Sequence, residues 1–176
     1  MTANAALATT IQAAVDHVKQ NPSAAMATFK AKVLQDKGVQ CSAFVRKHPA
    51  IIVDEPASLG GNDAGPSPVE FLLVSLGACQ EILYQITASM MGIELDSVTV
   101  YLKGNLDVRG FMGEEGIPPG YQQITFETRI ESQADAKAIE ALVHTVEANC
   151  PTMDTIRRPV DVHGKAFLNG EPIATV

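Results

Sequence analysis

Ser67-Pro68-Val69-Glu70-Phe71-Leu72-Leu73-Val74-Ser75-Leu76-Gly77-Ala78-Cys79, running on to Met91-Gly92, is the stretch on which the fold turns. Ser67 is a natural N-cap, because its hydroxyl can accept an amide that the first helical turn leaves unpaired. Pro68 suits the first helical position, where no amide is needed, and Glu70 at the third completes a capping box. Apolar residues then follow without a breaker to Met91, and Gly92 is a good left-handed C-terminal residue. The reading is a long central helix, largely buried.

Upstream, Leu7, Ile11, Ala14, Val15 and Val18 share one helical face within Ala5–Lys19, and Asn21-Pro22 ends that run. Residues 1–25 therefore read as an amphipathic leader helix and residues 26–176 as the main domain. Met26–Leu34, Gln40–Arg46 and Ala50–Val53 read as three short strands, parted by Asp36-Lys37-Gly38 and by His48-Pro49. The run from Glu55-Pro56 to Gly65-Pro66 is a loop rich in turn residues.

Downstream, Val98, Val100, Leu102, Leu106 and Val108 share one parity, as do Ile124, Phe126, Thr128 and Ile130, giving two half-buried strands. Gly110–Gly120 lies between them as a long loop, with the makings of a lid. Ser132 and Asp135 cap a second helix, which presents Ala138, Leu142, Thr145 and Val146 on one face and ends at Asn149. A helical turn near Thr155–Arg158, a strand at Val160–His163 and a hairpin turn at Asn169-Gly170 close the pattern. The fold class is α+β, with antiparallel sheets packed around helices.

Bulk properties narrow the function. The chain has 176 residues, 46% hydrophobic and 19% charged, which suits one domain with a real core. A net charge of −7 and scattered basic residues argue against nucleic acid as a partner. The first basic residue is Lys19, so no charged start of a secretory signal is seen. Glu70, Gln80, Glu81 and Gln85 interrupt the most apolar stretch, Val69–Met91, which argues against a membrane span. The expected compartment is the reducing cytoplasm, and no metal site or cofactor is expected.

Cys41, Cys79 and Cys150 are too few and too widely spaced for a disulfide scaffold or a structural zinc site. Cys41 lies mid-strand and reads as structural. Cys79 shares a helical face with Leu72, Ser75, Leu76, Ile82, Leu83 and Ile86, so plain packing is one reading. Gly77 and Ala78 beside it admit a close neighbour. Cys150 follows a helix end and precedes a proline, where a side chain is held without being enclosed. A reactive thiol needs a cation, a helix N-terminus or a base to favour the thiolate. Arg46, Lys37, Arg129, Arg157 and Arg158 are the candidate cations.

Asp54-Glu55-Pro56, Leu59-Gly60-Gly61, Gly65-Pro66-Ser67-Pro68-Val69-Glu70-Phe71-Leu72-Leu73 and Leu76-Gly77-Ala78-Cys79 together resemble the central-helix motif of the OsmC/organic-hydroperoxide-resistance family. Cys150-Pro151-Thr152-Met153, Thr155-Ile156-Arg157-Arg158 and Val160-Asp161-Val162 resemble its second-cysteine motif. The resemblance runs from Met26 to His163. It implies antiparallel sheets wrapped around central helices in an intertwined homodimer, with active sites at the subunit interface. The implied activity is thiol-dependent reduction of a small organic hydroperoxide. Cys79 would become a sulfenic acid, Cys150 would resolve it to a disulfide, and an external dithiol would reduce that disulfide.

The chain departs from the family at one place: Val69 stands where characterised members carry a glutamate. Glu70, one residue later, is about 13 Å up the helix from Cys79 and on its other side, and reads as the capping residue. Arg46 is the arginine nearest the family position, although the register points closer to Gln35–Lys37. A solvated surface charge is the equal alternative for it. Two other functions stand beside the peroxidase. One is a non-enzymatic dimer of the same fold that binds a small apolar ligand, which Val69 favours. The other is a Cys–His hydrolase using Cys79 with His48, His144 or His163.

Overall fold

The structure is a computed structural model that describes residues 3–176. The capping box at Ser67 forms in full. The Ser67 hydroxyl accepts the Glu70 amide, and the Glu70 carboxylate takes the Ser67 N–H at 2.7 Å. From this cap α2 runs over Pro68–Met91 and closes on Gly92, whose φ is +69°. Its length and composition would allow it to cross a membrane. In this fold it is the packing centre, touching α1 (Ala3–Gln20), β4 (Ser97–Leu106), α4 (Ala136–Asn149) and α5 (Pro151–Arg157).

Which face α2 buries differs from the face assigned by the Cys79 period. The buried stripe is Leu76, Gly77, Gln80, Tyr84 and Ala88, one step around the helix. Leu72 and Ile82 are exposed, and so is Val74. Gln80 is fully buried, with both amide atoms unpaired among the described residues. Gly77 makes the close packing possible. A Cβ there would stand 2.6 Å from Leu102 Cδ1 of β4.

β4 pairs antiparallel with β5 (Tyr121–Glu131), placing Leu102 opposite Phe126 and Val98 opposite Ile130. Even-numbered positions of both strands turn inward, apart from Gln122 and the irregular start of β5. The expected alternation stops at Leu106. Asp107 caps a short helix, α3 (Val108–Phe111), by accepting the Arg109 amide, so Val108 leaves the strand parity.

Asp135 alone caps α4, accepting the Ala138 amide at 2.9 Å. Ser132 acts differently. Its hydroxyl donates to Glu94 O at 2.6 Å and ties the entry of α4 to the segment after α2. The main core is then Tyr84, Ala88, Ile93, Leu142 and Val146, closed by side chains from β4, β5 and α4. Full burial of an aliphatic side chain such as Leu142 is worth roughly 2–3 kcal/mol. At the far end α1 lies against α2, and Asn4 Nδ2 donates to Ile93 O at 3.0 Å.

A three-stranded antiparallel sheet precedes α2, in the order β1 (Lys32–Lys37), β2 (Gln40–Phe44), β3 (Ile51–Val53). Met26–Ala31, expected as the start of the first strand, does not join it, and Met26 and Phe29 stand exposed. The strand expected at Val160–His163 is also absent. The final sheet is a hairpin instead, β6 (Lys165–Leu168) with β7 (Glu171–Thr175), turned by Asn169 and Gly170 at φ 51° and 93°. The turn chemistry selected its own flanking strands. Every residue of β1, β6 and β7 is exposed.

Candidate functional site

Cys150 sits where two helices meet. Its extended backbone (φ −74°, ψ 109°) ends α4 and opens α5, with Pro151 at the first helical position. The Cys-Pro step thus repeats the logic of Ser67-Pro68. Here the sulfur is the cap, accepting the Met153 amide at 3.5 Å. The helical turn expected at Thr155–Arg158 accordingly begins four residues earlier. Leu76 and Met153 enclose the Cys150 side chain, and Cys79, Leu83, Leu102, Ile124, Phe126 and Ile156 pack against that cluster.

Cys79 lies half-buried on α2. Its sulfur is 3.5 Å from that of Cys150, with the Cys150 thiol donating. A disulfide requires about 2.05 Å, so the two are in contact and unbonded. Seventy-one residues separate them in the chain, and α2, α4 and α5 bring them together.

The two thiols are driven apart in acidity. Burial works to raise Cys79, but hydrogen bonds from the Thr152 hydroxyl, the Thr152 amide and the Cys150 thiol outweigh it and hold it below the ordinary thiol value. Cys150 is pushed up, first by burial and further by donating its proton to Cys79 and facing that charge; the Met153 and Thr152 amides oppose this only in part. Between the two, the Cys150 thiol donates and the Cys79 sulfur accepts. As pH rises, an alkylating reagent is expected to label Cys79 before Cys150, read peptide by peptide in mass spectrometry. Equal labelling at every pH would contradict this order.

The other residues singled out from the sequence lie elsewhere. Arg46 is exposed in the turn after β2 at φ 52°, and it is not among the groups acting on Cys79. Glu70 is spent in the capping box, where the Ser67 amide and hydroxyl hold its carboxyl below the usual range. Arg129 and Arg158 pair with Glu127 and Asp154. His48, His144 and His163 are all exposed, His144 beside Glu140, and none acts on Cys79. Cys41 is half-buried in β2, apart from the pair. Sequence reasoning missed Thr152, although its place two residues after a proline-stepped cap was the available signal.

Two cavities flank the pair's scaffold. One of 210 Å³ shares Leu76, Phe126, Met153 and Ile156 with the packing around the sulfurs, and Arg157 also lines it. A second, of 490 Å³, lies at the start of α2, lined by Leu59, Val69, Leu106, Val108, Phe111 and Pro119 among others. The loop before α2 is fixed by Asp54, buried at 1% exposure. Burial works to raise its carboxyl, yet the amides of Asn62, Ala64 and Glu55 together hold it below the usual carboxylate range.

Comparison with known proteins gives a consistent picture. The family described as OsmC-like protein matches residues 60–164. No curated protein matches the chain. Among solved structures, an OsmC like protein from Mycoplasma pneumoniae is similar at TM-score 0.64 and 18% identity, over 74% of this chain and 88% of that one. An organic hydroperoxide resistance protein from Legionella pneumophila is similar at 0.58 and 20%, over 75% and 90%. One from Elizabethkingia anophelis is similar at 0.58 and 17%, over 75% and 89%.

Proposed function

Because this chain belongs to the OsmC-like protein family, we propose that it is a two-cysteine peroxidase that reduces small organic hydroperoxides. The observation that carries the proposal is the 3.5 Å approach of Cys79 Sγ and Cys150 Sγ. The two relatives called organic hydroperoxide resistance proteins suggest the substrate class. Leu76, Ile124, Phe126, Met153 and Ile156, which pack around the pair, also line the 210 Å³ cavity and offer apolar surface to a carbon tail.

In the first step the Cys79 thiolate attacks the terminal oxygen of the hydroperoxide. A sulfur–oxygen bond forms, the O–O bond breaks, and its electron pair leaves on the alkoxide, which takes a proton to become the alcohol. Cys79 is now a sulfenic acid. Cys150 loses its proton and attacks that sulfur, forming the disulfide and expelling water. An external dithiol returns two electrons and two protons by thiol–disulfide exchange. The net change is one hydroperoxide and one dithiol to one alcohol, water and one disulfide.

The unequal acidities fit this order. The attacking sulfur is the more acidic, and the resolving thiol keeps its proton until the sulfenic acid is present. The proposed assembly is an intertwined homodimer in the cytoplasm. In it, residues 1–25 form an appendage to the domain at 26–176. The unpacked faces of β1, β6 and β7 and the exposed Val74 and Ile82 on α2 support a second protomer. Light scattering that returns the mass of one chain at micromolar concentration would contradict it.

A second reading, a dimer that binds an apolar ligand without chemistry, draws on the 490 Å³ cavity beside Val69. The Cys150→Ser variant separates the two. The peroxidase reading expects one stoichiometric turnover with the Cys79 sulfenic acid trapped by a dimedone probe, and turnover with dithiol sharply reduced. No trapped adduct and no consumption by the wild type would leave the binding reading standing.

A further inference from the structure

Val69 lies about 15 Å along α2 from Cys79, and there the helix start borders the 490 Å³ cavity. That volume falls in the range of about 300–1,000 Å³ that holds small molecules. Three segments build its apolar wall. Leu59 comes from the loop before α2, Val69 from the first turn, and Leu106, Val108 and Phe111 from the end of β4 and from α3. Val69, Val108 and Phe111 are 42%, 51% and 61% exposed, so this surface is open to a ligand. The loop carrying Phe111 is braced. Gly110 packs so closely on Pro118 that a Cβ would stand 2.4 Å from its carbonyl oxygen, and Arg109 pairs with Asp107 and Glu114.

Every charged residue in the lining is acidic: Asp54, Glu55, Asp63 and Glu70. Two of them are already committed. Asp54 takes three backbone amides, and Glu70 takes the Ser67 N–H and hydroxyl. Glu55 and Asp63 are held together, the Asp63 N–H donating to Glu55 O at 3.1 Å. Neither of their carboxylates is paired with a cation among the described residues. A helix start ordinarily favours an anion. Here the chain's own Glu70 occupies that place, so an incoming anion would meet only carboxylates.

We propose that this cavity binds a small organic cation, an ammonium group on a short alkyl chain, with its tail against Val69, Val108 and Phe111 and its charge toward Glu55 and Asp63. The apolar wall supplies the affinity for the tail, and the unpaired carboxylates select the sign of the head group. A carboxylate head would be repelled, and an alcohol would gain nothing from the acidic pair. Phe111, the aromatic residue of the lining, offers a π face that cations favour. The proposal takes its cavity from the ligand-binding reading. It holds whether or not the sulfurs do chemistry, because neither Cys79 nor Cys150 lines this cavity.

The test is equilibrium dialysis of the full-length reduced protein against n-octylammonium, n-octanoate and n-octanol in turn. Octylammonium is expected to bind about tenfold or more tightly than octanoate, and added salt should narrow that gap. Glu55→Gln combined with Asp63→Asn keeps the side-chain shapes, and asparagine accepts the φ of 55° at position 63. This pair is expected to weaken octylammonium about tenfold and to leave octanol unchanged. Each single substitution, expected to cost about threefold, serves if the pair does not fold. Cys79→Ser should bind as the wild type does. Octanoate that matches octylammonium, charge variants that bind octylammonium unchanged, or no binding of octylammonium at all overturns the proposal. So does a Cys79→Ser protein that loses the ligand, or a Phe111→Ala protein whose mass in light scattering changes, since a second copy would then cover the wall. A wild type that binds octylammonium but consumes no hydroperoxide keeps this site and loses the peroxidase reading.

Discussion

Replacing Cys79 with serine is expected to reduce hydroperoxide consumption to the uncatalysed background, a fall of about a thousandfold or more. The hydroxyl occupies nearly the same volume and leaves the packing of Leu76 and Met153 in place, so folding should survive. What is lost is the nucleophile. A serine hydroxyl does not ionise near neutrality, and Thr152 and Cys150 donate to Cys79 rather than accept from it, so no neighbouring base can take its proton. The assay is the disappearance of a small organic hydroperoxide with excess dithiol, alongside a thermal melt to show the variant is folded. A folded Cys79→Ser protein that consumes hydroperoxide at the wild-type rate would remove Cys79 from the chemistry.

The second large effect concerns the scaffold. Gly61→Ala is expected to destabilise the protein by about 3 kcal/mol or more. A Cβ at Gly61 would fall 1.7 Å from Glu55 O and 2.8 Å from Asp54 Oδ1. The first of these is backbone and cannot rotate away. The Asp54 carboxylate must remain there, because it binds the Glu55, Asn62 and Ala64 amides at 2.9, 2.9 and 3.2 Å. Opening the loop would therefore release a buried anion and the segment that feeds the Ser67 cap.

Gly77→Ala is the useful contrast. Its Cβ would meet only the mobile end of Leu102, and the better helix propensity of alanine offsets part of the cost. The check is the urea midpoint at constant slope: a large fall for Gly61→Ala and a small one for Gly77→Ala. Acid should weaken the same loop. Asp54 is held below its unfolded value, so its contribution is complete above about pH 4 and is lost as pH falls through the folded value.

Local rules made much of this legible in advance. Ser67, Pro68, Glu70 and Gly92 carry their capping geometry in their side chains, so α2 could be placed at both ends. The parity of Val98 to Leu106 and of Ile124 to Ile130 exposed the β4–β5 pair. Asn169-Gly170 marked its turn because few other residues accept positive φ at both positions. The OsmC-like family match spans residues 60–164, so it covers the motif residues from Gly60 to Val162 and leaves Asp54-Glu55-Pro56 and Leu59 outside.

Tertiary choices were not legible. The period through Cys79 could not say which neighbouring face would meet β4, and the helix buried Gln80 rather than Ile82. Val160–His163 alternates well but finds no strand to pair with, while Lys165–Leu168 gains one across a tight turn. Cys-Pro at 150–151 reads equally as the stop of one helix or the start of another; it serves as both, and the second role brings Thr152 to the site. Arg46 followed from resemblance and register, and neither specifies where an exposed turn will sit in space.

The most direct measurement is peptide mapping of the reduced wild-type protein after one equivalent of a small organic hydroperoxide. The expected product has lost two hydrogens, contains Cys79 joined to Cys150 and leaves Cys41 free, with one alcohol formed per disulfide. Cys79 and Cys150 recovered as separate thiols, with the hydroperoxide intact, would contradict the chemistry assigned to the pair.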